Sequence, residues 1–401
     1  MKITFLLSLN LTVPGPSVHI LTSLLSSLAD AGHAVRVIEP RPAGAGVLPP
    51  ALEGRVDATA LPVKAQDKRN FAARYLAQAR YALSTRRALR DADLVYVHSS
   101  NTPAFFAYLV RHACPRARLV VNVQDIFPEN AATIGALSPK GLMYRTFRRM
   151  ARYAYRRADA VTTLSEDMRR TLIAAGAPEE RTHVLGLWSY GDDIGCVDEA
   201  DNRFLATHPE ERGFFRVLYA GNVGAMQNVE LILDAAERLL PEARVRFLIV
   251  GDGARKAEHE RRAQEHGLTN VRFYPMQDSS LAVDLYSMAD VNLITLAPGV
   301  IATAFPSKTT TCFAVGRPVI AAVDPTSDYA KMVAGCDKCF ALDPADGAAL
   351  AERIRKNLEE GVSGCSEGAR ALYRSMLSQE AGIARHIALF EQLVSGKGDA
   401  L

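Results

Sequence analysis

Short apolar runs recur along the chain, and most are followed by a stretch with the three-to-four-residue spacing of a half-buried helix. Up to residue 190 the runs KITFLLSL, AVRVIE, DLVYVHS, RLVVNVQD, AVTTLS and THVLGL predict buried parallel strands. Helical spacing is clearest in SVHILTSLLSSLADAGH, which stops on Gly32 as a helix end should. After residue 212 comes a second series, FFRVLYAG, VRFLIVGDG, NVRFYPM, ADVNLITL, PVIAAV and CFALD, again with helices between. Such alternation predicts an α/β protein: two Rossmann-like doubly wound domains facing across a cleft. The boundaries expected are a first domain over 1–190, a linker over 191–212, a second domain over 213–375 and a C-terminal helix within 376–401 that packs back on the first. The joint falls in LWSYGDDIGCVDEADNRFLATHPEERG, a polar stretch rich in turn formers.

Composition narrows the class. The 401 residues are 48% hydrophobic and 23% charged, ordinary for a globular protein, and no apolar run approaches the roughly 20 residues that span a bilayer. The N-terminal MKITFLLSLNLTVPGPS imitates a secretory signal, but its apolar run breaks at Asn10 with no small-residue cleavage site after it, so a buried first strand is expected. Six cysteines fit no disulfide framework, and Cys336 and Cys339 form a lone CxxC, so structural thiols are expected rather than zinc. Charge is split: residues 1–190 hold 25 Lys and Arg against 14 Asp and Glu, the remainder 22 against 30. The first half is therefore expected to face something anionic.

Candidate chemistry lies at the strand ends, where ligands bind in doubly wound sheets. NLTVPGPSVHI sets Gly15 in a turn before a helix whose free amides could receive an anion. YAGNVGAMQNVELILDAA places Gly221, Asn222 and Gln227 at a second such turn, and VGDGARKAE places Gly251 and Gly253 at a third. None is a dinucleotide fingerprint or a Walker loop. FPSKTTTCFAVGRPVIA adds an extended loop, a helix start carrying Lys308, and a Gly-Arg-Pro turn. No Asp-x-Asp clamp follows a strand, and Asp91-x-Asp93 opens one instead, so no metal is expected.

The order of these stretches resembles the retaining family 4 glycosyltransferases of the GT-B fold, essentially end to end. It is most similar to the bacterial branch that builds O-antigen and capsular or colanic-type polysaccharides. The resemblance rests on GPSVHILTSLLSSLADAGHAVRVI, DLVYVHSSNTP, VVNVQDIFPENAATIG, AVTTLSEDMRRTL, LYAGNVGAMQNVELILDAA, VGDGARKAE, NVRFYPM, ADVNLITL and FPSKTTTCFAVGRPVIA. It implies a UDP-sugar donor held by the second domain, an acceptor on the first, and no cofactor beyond the donor itself.

By this resemblance the segment around Phe273 and Tyr274 would lay the uracil against backbone, and Gly221 and Asn222 would approach the diphosphate. Members outside this branch often carry Arg and Lys where this chain has Asn222 and Gln227, so the compensating charge is expected from Pro306, Ser307 and Lys308. Two glutamates common in the family fall on Thr303 and Thr311 here, which points to a less polar donor sugar, N-acetylated or 6-deoxy. On the acceptor side Gln124 replaces a histidine, while Asp125 and Glu129 are the candidate catalytic carboxylates, able to orient a hydroxyl or take its proton. The resemblance also implies front-face attack with the leaving phosphate receiving the proton. Glu166 and His98 rank behind them, and Trp188 is expected to pack at the hinge.

Two basic stretches account for the charge split. KGLMYRTFRRMARYAYRRADA interleaves Arg145, Arg148, Arg149, Arg152 and Arg156 with apolar residues, and KRNFAARYLAQARYALSTRRALR is the second. Such a helix suits an anionic membrane surface, where a polyprenyl-diphosphate-linked acceptor would reside, and a cytoplasmic, peripheral location follows. Nucleic acid is not expected, since aromatic platforms in a groove are missing. Two alternatives share the architecture: a UDP-sugar 2-epimerase, which needs paired acid and base groups, and a non-catalytic nucleotide-sugar-binding partner of another transferase.

Overall fold

The computed structural model describes residues 1–13, 15, 17–63, 71–89, 91–98, 102–189, 194–362 and 364–396. The chain divides into two compact units. Unit 1 comprises Met1–Tyr190, Thr303–Phe305 and Gln379–Leu401, and unit 2 comprises Gly191–Ala302 and Pro306–Ser378.

Unit 1 is built on seven strands: β1 (Lys2–Leu6), β2 (Ala34–Arg41), β3 (Asp57–Pro62), β4 (Leu94–Val97), β5 (Arg118–Asn122), β6 (Ala160–Thr163) and β7 (Thr182–Val184). Between them run α1 (Val18–Asp30), α2 (Phe71–Ser84), α3 (Pro103–Ala113), α4 (Glu129–Thr133), α5 (Leu142–Arg157) and α6 (Glu166–Ala175). The sheet is parallel in the order β3-β2-β1-β4-β5-β6-β7. Strand order reverses between β1 and β4, where Phe5 faces Val37 on one side and Tyr96 on the other.

Unit 2 begins with α7 (Arg203–Thr207) and adds the strands β8 (Phe215–Ala220), β9 (Val245–Val250), β10 (Val271–Tyr274), β11 (Val291–Thr295), β12 (Val319–Ala322) and β13 (Cys339–Leu342). Its helices are α8 (Val229–Arg238), α9 (Lys256–Glu265), α10 (Ala282–Met288), α11 (Lys308–Val315), α12 (Asp328–Ala334), α13 (Gly347–Glu359) and α14 (Glu367–Leu372). Here too all strands are parallel, in the order β10-β9-β8-β11-β12-β13, and the order reverses between β8 and β11. The α/β reading of both halves is therefore correct, and each switch point marks where such a sheet leaves room for a ligand.

Two differences from the sequence reading have physical causes. Strand β3 escaped it because DATALP is only weakly apolar and ends in proline, which suits an edge strand. Within 191–212 the chain is not structureless: Asn202 caps α7 by accepting from the Leu205 amide at 3.0 Å. The last helix, α15 (Gln379–Ser395), belongs to unit 1. It inserts Ile383, His386, Leu389 and Phe390 into that unit's core, Phe390 lying 5.6 Å from the Tyr96 ring. Gly382 allows the approach, because a Cβ there would sit 2.3 Å from Trp188. Trp188 is itself fully buried in unit 1 and donates its indole N–H to Ser23 Oγ at 3.0 Å.

Candidate functional site

In unit 2 the turn after β8 and the start of α11 carry the chemistry. Gly221 leaves β8 at φ 140°, a conformation side chains rarely adopt, and its amide donates to the Val250 carbonyl at 2.9 Å. The ammonium of Lys308 sits over the face of Tyr219, 3.4 Å from the ring centroid, and a Cβ on Gly221 would lie 3.4 Å from it. The lysine stem is partly exposed, but Nζ is enclosed and has no hydrogen-bond partner among the described residues. Burial of the charged form pulls its pKa down to about 7.

The neighbouring backbone is also unsatisfied. Ser307 opens α11 without a capping side chain, and the amides of Ser307 and Lys308 make no hydrogen bond among the described residues. Two of the three threonines are used internally. Thr309 Oγ1 bonds the Pro306 carbonyl and the Tyr329 hydroxyl, both at 2.6 Å, and Thr310 Oγ1 donates to the Ser307 carbonyl at 3.0 Å. Thr311 is half-buried and its hydroxyl makes no hydrogen bond among the described residues. This corner therefore holds one enclosed cation and free amides, an arrangement suited to a phosphate.

The remaining donor candidates divide. Asn222 is exposed, and its amide nitrogen bonds Gln227 Oε1 at 3.0 Å, bridging the turn above Gly224. Gly251 and Gly253 are accounted for by packing: a Cβ on Gly251 would lie 1.8 Å from the Gly221 carbonyl, and one on Gly253 2.3 Å from that of Val223. They let the turns after β8 and β9 touch. Tyr274 turns its side chain to Glu211, bonding Oε1 at 2.7 Å, and its carbonyl accepts from Gly251 and from Lys256 Nζ, each at 3.1 Å. Phe273 packs against the unit 2 core. Both residues are half-buried, and Tyr274 also stacks edge-on against Phe204.

Unit 1 presents a different set. Asp125 follows β5 and forms an antiparallel bridge with Ala304, while the Ile126 amide donates to the Thr303 carbonyl at 2.9 Å. Thr303, expected beside a donor sugar, is buried and its backbone belongs with this strand end of unit 1. The Asp125 carboxylate makes no hydrogen bond or ion pair among the described residues. It is open to solvent, yet the protein around it raises its pKa. Glu129 is partnered instead, with Tyr144 Oη and Arg148 Nε each 3.5 Å from Oε1. Burial raises its pKa and those two partners oppose the rise.

Gly15 bonds forward, its carbonyl accepting from Val18 at 3.1 Å, and a Cβ there would meet nothing closer than 3.8 Å. Packing does not require a glycine at 15. Ser17, at the start of α1, donates to Gln124 Oε1 at 2.9 Å, which joins this turn to the Asp125 segment. His98 is enclosed beside Tyr96, where burial holds it down to about 4, and Glu166 pairs with Arg169 at 2.9 Å. Pro16, Ser99 to Asn101, and Lys68, Arg69 and Arg90 of the second basic stretch lie outside the described residues.

Helix α5 shows one charged face. Arg145, Arg148, Arg149, Arg152 and Arg156 are exposed and line a groove of about 900 Å³ with Tyr144, Tyr153 and the end of α6. Arg148 is held by Glu129 and donates to the Ala174 carbonyl at 3.0 Å. The other four have no carboxylate partner among the described residues. Leu142 and Met143 at the head of the helix are 75% and 50% exposed. No helix among the described residues is long and apolar enough to cross a membrane.

Sequence reading missed the ring beneath Lys308. Tyr219 precedes the Gly221 turn by two positions, and an aromatic there reads as ordinary strand core until the lysine is seen on its face.

Comparison with known proteins bears on both units. Residues 15–188 match the family model of a glycosyl transferase 4-like domain, and residues 215–360 that of glycosyl transferases group 1. The chain is 26% identical over 366 residues to a protein of Pseudomonas aeruginosa named Probable glycosyltransferase WbjE, covering 88% of this chain and 89% of that protein. It is 29% identical over 251 residues, 60% of each chain, to WcaI of Escherichia coli, named for colanic acid biosynthesis. Among solved structures, HepE of Anabaena in complex with UDP and glucose superposes with a TM-score of 0.73 at 19% identity, over 98% of this chain and 100% of that one. The sucrose-phosphate synthase of Thermosynechococcus elongatus reaches 0.78 at 16% identity, covering 99% and 100%. At such identities the structures speak for the fold alone. With a glycosyl transferase model matched in each half, the chain belongs to the glycosyltransferases of the GT-B fold.

Proposed function

We propose that the protein moves a sugar from a UDP-sugar to a lipid-linked glycan acceptor during surface polysaccharide synthesis, with retention of configuration. The observation that carries the reading is Lys308. An ammonium enclosed without a partner is costly, and a donor diphosphate would remove that cost while accepting from the free amides of Ser307 and Lys308. Because Lys308 supplies the compensating charge, the reading calls for no divalent cation. The UDP bound by HepE supports this class of donor, and the colanic acid biosynthesis in WcaI's name supports this class of product. Thr311, a neutral free hydroxyl near the clamp, suits an N-acetylated or 6-deoxy sugar.

On unit 1 the unpartnered Asp125 would orient the acceptor hydroxyl, and the leaving phosphate would take its proton. Glu129 would hold α5 through Arg148. The exposed arginines of α5, beside Leu142 and Met143, would seat the protein on the anionic inner face of the membrane, where each basic residue contributes about 1 kcal/mol. The test is a UDP titration by calorimetry followed by incubation with a panel of UDP-sugars. Saturable UDP binding with acceptor-independent donor hydrolysis supports the reading. Interconversion of free UDP-sugars would replace it with an epimerase, and binding without turnover with a non-catalytic partner.

A further inference from the structure

The tyrosine under Lys308 makes two contacts at the Gly221 turn that the proposed function does not use. Tyr219 is the next-to-last residue of β8 and is fully buried. Its hydroxyl donates to the Asn222 carbonyl at 2.6 Å, across the turn, while its ring lies under the Lys308 ammonium. Burial pushes the phenol upward, so it keeps the proton that it donates. On the other side of Gly221, Tyr286 from α10 donates to the Ala220 carbonyl at 3.4 Å. Both carbonyls flanking the glycine are thus held by phenols, and one of those phenols also carries the lysine.

An aromatic face suits this lysine better than a carboxylate would. A carboxylate would neutralise the ammonium and occupy one of its three N–H donors. A ring attracts the cation through its quadrupole and leaves those donors for a ligand. No carboxylate pairs with Lys308 among the described residues. The titratable groups nearest the ammonium and its ring are neutral. Cys312 lies one turn further along α11, with its thiol pushed up by burial to about 12. Burial also raises the phenols of Tyr286, beside Tyr219, and of Tyr329 on α12, beside Cys312.

We propose that Tyr219 is a positioning residue for the donor: its ring holds the Lys308 ammonium at the Gly221 turn before the diphosphate arrives, and its hydroxyl ties the ring to that turn. The inference rests on the proposed function, in which Lys308 meets the diphosphate. A lysine side chain loses much rotamer freedom when a ligand immobilises it. Where the side chain is held beforehand, that loss falls outside the binding step. Without the ring the ammonium returns to water, and the ligand has to recover it from there.

The deciding experiment is a double-mutant cycle on UDP affinity by calorimetry, with Tyr219→Leu and Lys308→Ala made singly and together. Tyr219→Leu is expected to weaken UDP binding about tenfold, the scale of a desolvated contact between a cation and a ring. In the Lys308→Ala background the same change is expected to cost less than about twofold, because no ammonium is left to hold. A merely structural loss would be equal in both backgrounds. Tyr219→Phe, which keeps the aromatic face, is expected to recover most of the wild-type affinity. Equal losses in the two backgrounds, an unchanged Kd in Tyr219→Leu, or a Tyr219→Phe as weak as Tyr219→Leu overturns the assignment. Should Tyr219→Leu fail to fold, the ε-methylene protons of Lys308 in the wild type decide, assigned by their loss in Lys308→Ala. The ring current of Tyr219 is expected to move them upfield of an unstructured lysine, and an ordinary shift overturns the assignment. Failure of the wild type to bind UDP, or undiminished affinity in Lys308→Ala, counts against the proposed function, while the ring-current shift still tests the hold of Tyr219 on the lysine.

Discussion

Lys308 in unit 2 and Asp125 in unit 1 each lie just beyond the strands without a partner among the described residues, and the two are held in different ways. Lys308 has its charge enclosed over Tyr219, so the empty state is electrostatically costly and the cost falls on the protein. Asp125 is exposed, yet desolvation by the protein around it raises its pKa, and it stands ready to accept a hydrogen bond. An enclosed unpaired charge is suited to gaining affinity from a counter-ion. An accessible one is suited to positioning a group that arrives and leaves.

That contrast separates binding from transfer. Asp125→Asn is expected to lower transfer about 100-fold or more, the scale of a positioned acid or base, with the UDP Kd unchanged. Glu129→Gln should be milder, acting through the Arg148 and Tyr144 contacts. Product formation and calorimetry on both variants check this, and full transfer by Asp125→Asn would remove the carboxylate from the reaction.

Lys308→Ala is expected to show the converse, a loss of UDP affinity of about 10- to 150-fold, corresponding to about 1.5–3 kcal/mol for a charge-assisted contact. A smaller signature is its pH dependence. UDP binds the ammonium form, so affinity should be full below pH 7 and fall by about tenfold per unit above it, with proton uptake visible when buffers are exchanged. The free protein should respond in the other sense. Its lysine pKa lies below the unfolded value, so the unfolded chain holds more protons between about 7 and 10.5 and stability rises across that window. An affinity independent of pH would mean that Lys308 stays charged without its ligand, and the contrast with Asp125 would lapse.

The smallest effect on the donor belongs to α5. Reversing Arg148, Arg149 and Arg152 to glutamate should abolish sedimentation with anionic vesicles and leave UDP affinity within about twofold, since exposed charges are screened over about 8 Å. Salt should release the wild type from the same vesicles. Equal binding to neutral vesicles would reassign the groove.

Much of this was legible in the sequence where local rules decide. Twelve of the strands stand out as apolar runs because buried parallel strands leave no polar face. The β8 turn and Lys308 are readable from glycine and helix-start chemistry. What escaped depends on contacts far apart in the chain. Gly251 looks like a ligand glycine until the Gly221 carbonyl is found where its Cβ would stand. Tyr274 looks free until Glu211 takes its hydroxyl.

The return of α15 to unit 1 has a consequence during synthesis. Residues 1–190 leave the ribosome with the surface around Phe5, Tyr96 and Trp188 uncovered, because Ile383, Leu389 and Phe390 are translated only after all of unit 2. At about 5–20 residues per second the gap lasts roughly 10–40 s. During that interval a nascent chain shows an aromatic face that a chaperone can recognise, and a ribosome stalled before residue 379 releases a product whose first unit lacks part of its core.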